Sequence, residues 1–166
     1  MKPLAIAICA TLCAGPSLAD LRVTFVDGAP KDRFVITNEG SCDIGPSELT
    51  IDFGKTPAGL IFDVTAAGAG VEVFQPFEVT QGADLLTRLP TIADGDQTAT
   101  LALAALGRGQ KLAFTIDVDD TAGAREITVS GSEAEGTLIS LTTDGARESA
   151  TMDATGAAVL SPAACL

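Results

Sequence analysis

The chain has 166 residues, enough for one domain, and sets 22 acidic against 10 basic side chains for a net charge of −12. So acidic a protein repels nucleic acid and anionic lipid, and neither is expected as a partner. It has no His, Trp or Tyr, so a Ser-His-Asp triad, a Cys-His pair and histidine metal sites are all excluded.

Carboxylate pairs of the glycosidase kind remain available as catalytic groups. Sugar sites usually offer aromatic platforms, however, and the seven Phe fall mostly at core-type positions. The expectation is a protein that is not an enzyme.

The chain opens on Met1-Lys2, continues with the apolar run Leu4 to Ala14, and reaches Ser17-Leu18-Ala19, which fits small-x-small cleavage. Residues 1–19 therefore read as a signal peptide cut after Ala19. The apolar run is too short to span a membrane. Cys9 follows Ile8 and Cys13 follows Leu12, so neither has the small preceding residue of a lipoprotein signal. The expected mature chain is Asp20 to Leu166: exported, soluble and not membrane-spanning, periplasmic or extracellular. Loss of Lys2 takes its charge to −13.

Of four cysteines only Cys42 and Cys165 stay with that mature chain. An even pair in an exported protein reads as a disulfide. Closing so long a loop would contribute roughly 4 to 5 kcal/mol in the chain-entropy treatment. A structural bond is expected rather than a redox pair, which would sit close in sequence as Cys-x-x-Cys.

From Leu21 onward, period-two alternation recurs. Leu21, Val23 and Phe25 share one face; Phe34 and Ile36 follow, then Leu49, Ile51 and Phe53, then Leu60, Phe62 and Val64 against Ile61 and Asp63. "AAGAG" at 66–70 reads as a loop, and Gln75-Pro76 makes the run Val71 to Val79 an edge strand or a bend. Further strands are expected at Thr98–Leu103, Lys111–Val118, Glu126–Val129, Thr137–Leu141 and Ser149–Ala154.

Ala102 to Leu106 is the most helix-prone piece. Asp144-Gly145 predicts a hairpin pairing Thr137–Thr143 with Glu148–Asp153. The fold class is then all-β: residues 20–166 as one antiparallel β-sandwich, immunoglobulin-like or related, with one disulfide. Its core is expected to be rich in Ala, Val and Thr and poor in large aromatics.

In "FTIDVDDTAG" (Phe114 to Gly123), Leu112, Phe114, Ile116 and Val118 face one way, which puts Asp117 and Asp119 together on the outer face. Residues two apart on a strand are about 6.6 to 6.8 Å apart, close enough to share an ion. Asp120 opens the following turn and can swing to the same place. Oxygen ligands without His or Cys select Ca²⁺ over transition metals. Asp117, Asp119 and Asp120 are the predicted metal ligands, set against the plainer reading of a solvated strand end. Asp94-Gly95-Asp96 is a second candidate, though Asp-Gly is more simply a turn. Asp63 and Glu72 are weaker ones.

The stretches "FVITNEGSC" (Phe34–Cys42), "GLIFDVTAAGAGVEVFQPFEV" (Gly59–Val79), "FTIDVDDT" (Phe114–Thr121) and "REITVSGSEAEG" (Arg125–Gly136) resemble a family of secreted bacterial proteins labelled "aggregation factor core", after the sponge aggregation factor core protein. The resemblance implies an extracellular β-sandwich with a link to calcium-dependent adhesion, and brings no catalytic residues. The functional expectation is an exported, non-enzymatic sandwich binding an extracellular protein or glycan, assisted by calcium. The alternatives are a structural periplasmic or envelope module without a small ligand and, more distantly, a carboxylate-based hydrolase.

Overall fold

The computed structural model describes residues 20–65, 75–122 and 129–162. The expected signal peptide, Glu72, Cys165 and most of the strand expected at Glu126–Val129 lie outside them.

Alternating side chains fold as the period-two rule demands. In β1 (Leu21–Val26), β2 (Asp32–Asn38), β3 (Ser47–Asp52) and β8 (Lys111–Asp119), every second residue is buried. The other strands are β4 (Ile61–Asp63), β5 (Glu78–Gln81), β6 (Leu86–Arg88), β7 (Thr98–Leu103), β9 (Leu138–Thr143), β10 (Ala146–Thr151) and β11 (Ala157–Leu160). One sheet runs β11-β1-β2-β8-β4, with β5 also pairing β8; the other runs β10-β9-β3-β7-β6. All the pairings are antiparallel. The result is a β-sandwich, with Leu21, Val23, Phe34, Ile36, Leu112 and Phe114 of the first sheet and Leu49, Ile51, Leu101, Ile139 and Leu141 of the second in one buried cluster.

The core is more aromatic than composition predicts. Phe25 meets Phe34 edge-on at 5.2 Å, Phe34 stacks on Phe114 at 5.2 Å, and Phe53 lies 4.7 Å from Phe62. Concentrating few aromatics in one chain of contacts supplies large buried areas that small residues do not.

The β9–β10 hairpin forms, but its second strand runs Ala146–Thr151, two residues earlier than the expected Glu148–Asp153. Thr143 pairs directly with Ala146 because Asp144 and Gly145 both take positive φ, 41° and 84°, which makes a two-residue turn. Ala102 to Leu106 is not helical: Ala102 and Leu103 end β7, and Leu106 bridges Ile44. Apolar alternation and cross-strand partners override helix propensity there. Gln75-Pro76-Phe77 lead into β5, a strand that pairs β8 through a register shift. No helix among the described residues is long and apolar enough to cross a membrane.

Candidate metal centre

The short strand β4 brings the acidic residues together. Leu60, Phe62 and Val64 turn inward, so Ile61 and Asp63 turn outward. Yet all five are buried, a departure from the half-open strand that alternation predicts. β4 lies between two neighbours. On one side it pairs with β8, with Asp63 directly opposite Asp117 and Ile61 opposite Asp119. On the other, the 93–96 turn hydrogen-bonds along it: Phe62 N donates to Asp96 O at 2.8 Å and Gly95 N to Phe62 O at 2.9 Å.

The exit of β8 is clamped as well. Thr121 N donates to Ala58 O at 3.2 Å, and Thr121 Oγ1 donates to Gly59 O at 2.7 Å. Gly59 has φ +65°, and a Cβ there would come within 2.6 Å of Thr121 Oγ1. Only glycine allows this approach.

One carboxylate oxygen each from Asp63, Asp117 and Asp119 lies within 4.8 Å of the other two. Ca²⁺ binds oxygen at about 2.3 to 2.6 Å, so one ion spans such a gap. Asp63 is 1% exposed, and neither of its carboxylate oxygens accepts a hydrogen bond from an N–H or hydroxyl group among the described residues. Burial pushes its pKa up to about 7; a carboxyl–carboxyl hydrogen bond with Asp94 and the charges of Asp119, Asp94 and Asp117 add to the rise. Burial also lifts Asp117 to about 6, helped by Asp119 and opposed by the Val118 backbone and Lys31. Like charges placed directly opposite across a ladder destabilise it. Protons or a cation relieve them.

Of the three predicted ligands, Asp117 and Asp119 are in this group. Asp120, one residue past the strand, is buried and is not among the three. Asp94 adjoins the group from the turn, where its Oδ1 accepts from Val64 N at 3.2 Å. Asp96 builds that turn by accepting from Ala93 N at 2.7 Å. Asp63 ranked low in the sequence. Its signal was the pair "IFDV" and "TIDV": set antiparallel and in register, these strands place their aspartates face to face.

A second buried carboxyl flanks the same strand end. Asp32 of β2 accepts from Gly28 N at 3.2 Å and from Val118 N at 3.1 Å. Burial raises its pKa to about 8, those two N–H groups pull it down, and Asp117 and Asp27 raise it further. Next to Val64 runs an apolar groove of about 430 Å³ lined by Phe77, Leu89, Pro90 and Ile92 among others. Leu89 is 67% exposed at its rim.

No protein-family profile matches the chain, and no curated protein matches it.

Proposed function

We propose that this chain is an exported, non-enzymatic β-sandwich that binds an extracellular protein or glycan with the help of calcium. The carrying observation is Asp63, a buried carboxylate that no N–H or hydroxyl group among the described residues meets, sharing one space with Asp117 and Asp119. A site of hard oxygen donors alone suits Ca²⁺ and offers poor ligands to softer transition metals. The groove beside Val64 gives the same end of the molecule an apolar surface for a partner. The resemblance to the aggregation factor core family supports an adhesive role.

The reading includes an immunoglobulin-related sandwich closed by a Cys42–Cys165 disulfide. Leu21 pairs with both Leu160 and Asn38, so β11 finishes at the same end of the sheet as β2, which leads on to Cys42. Cys42 itself packs against the core. Non-reducing peptide mapping of Asp20–Leu166 is expected to recover the two cysteines in one linked fragment; two free thiols would remove the bond from this reading.

The functional test measures retention of labelled Asp20–Leu166 on the exporting cells and on a panel of extracellular glycans. Retention in millimolar calcium and release by chelator are expected. No retention on any surface in either condition favours the envelope module without a small ligand.

A further inference from the structure

Asp117 and Asp119 share an outer face by simple alternation, and a strand end carrying two carboxylates is ordinary on an acidic protein. Asp63 is not ordinary. A carboxylate taken out of water is expensive unless hydrogen bonds or a counter-charge answer it. Asp32 shows the usual answer, two backbone N–H groups. Asp63 has none among the described residues, and its like-charged neighbours Asp117 and Asp119 make the position worse. The strand pairing therefore sets a buried carboxylate, Asp63, directly opposite a like charge, Asp117, with Lys31 countering the charge of Asp117.

We propose that Asp63, Asp117 and Asp119 seat one calcium ion that ties β4 to β8, with Asp63 as its buried anchor and the Asp94 carboxylate as the nearest additional charge. The ligand set bridges two strands far apart in sequence, instead of curling around the end of one. Three carboxylates fill only part of the six to eight positions calcium takes, and water completes the shell on the exposed side. Magnesium is disfavoured, since it demands a tight octahedron at about 2.0 to 2.1 Å. This deepens the calcium reading above and can fail separately from it: an ion held by Asp117, Asp119 and Asp120 alone would preserve that reading and remove this site.

The experiment is calorimetric titration of chelator-stripped Asp20–Leu166 with CaCl₂, paired with thermal melts in calcium and in chelator. Four proteins are compared: wild type, Asp63→Asn, Asp119→Asn and Asp120→Asn. Wild type is expected to bind one equivalent at about 10⁻⁴ to 10⁻³ M, the range of extracellular calcium modules. Asp63→Asn and Asp119→Asn should each weaken binding by more than about tenfold, while Asp120→Asn leaves it unchanged.

The melts carry a sign that a purely structural aspartate cannot produce. Asp63→Asn should melt higher than wild type in chelator, because a buried charge is gone, and lower than wild type in saturating calcium, because the ion no longer stabilises the folded state. Loss of calcium binding in Asp120→Asn with retention in Asp63→Asn would move the ion to the strand end and overturn this site. No calcium heat in wild type overturns both. Should Asp63→Asn fail to fold, the contrast between Asp119→Asn and Asp120→Asn decides.

Discussion

Asp32 of β2 and Asp63 of β4 flank β8 from its two sides. They are 2% and 1% exposed, and burial raises both pKa values. They differ in what meets their oxygens. Asp32 accepts one N–H from the loop before its own strand and one from Val118, just beyond its last ladder partner Ile116, so its side chain extends the end of the β2–β8 ladder. Asp63 meets carboxylates. Burial alone does not tell a structural aspartate from a ligand. The inventory of donors around it does.

The comparison breaks most visibly on truncation. At about pH 4, where the folded Asp32 carboxyl is neutral, Asp32→Ala is expected to cost about 2 to 4 kcal/mol, since two buried N–H groups lose their acceptor. Asp63→Ala under the same calcium-free conditions should cost less than that, because it leaves no backbone N–H without its acceptor. Urea denaturation of both measures the gap; equal losses would make Asp63 a structural residue like its counterpart.

Titration sharpens it next. Asp32 rises from 3.8 to about 8 in the folded state. The native protein thus keeps a proton that the unfolded chain releases, and the associated stability is full below about pH 4 and declines as pH climbs toward 8. The slope reaches at most about 1.4 kcal/mol per pH unit. Asp32→Asn should flatten the decline, read from urea midpoints across that range. An unchanged slope would show that Asp32 does not titrate there.

The smallest expected effect concerns Lys31, which donates to Pro76 O and to Glu78, each at 3.1 Å, and whose charge opposes the rise of Asp117. Lys31→Ala should cost about 1 kcal/mol, since it loses an ion pair whose other partner, Glu78, is exposed, together with the Pro76 O hydrogen bond. It should also tighten calcium binding by about two- to threefold, because a positive charge near the ligands is gone. Calorimetry tests the sign, and weaker binding would place Lys31 among the groups that build the site.

Much of this architecture was legible in one dimension. Alternation around Leu21, Phe34, Leu49, Thr98 and Lys111 marked strands that form, and Asp144-Gly145 marked a hairpin that forms with its second strand two residues earlier than expected. Asp117 and Asp119 were readable as neighbours because side chains two apart on a strand always share a face. These are properties of the local backbone, and the sequence carries them whole. The short strands β6 and β11 show no signal because a handful of residues contain too little period to detect. The helix-prone Ala102–Leu106 misled because its cross-strand partners, Glu48 and Ile44 among them, lie far away in the chain. Asp63 and Asp32 needed the tertiary structure outright. Whether an aspartate ends in water, against backbone N–H groups or against other aspartates depends on which strands become neighbours. That choice is made by burying Phe62, Phe114 and their contacts, and no local window of sequence contains it.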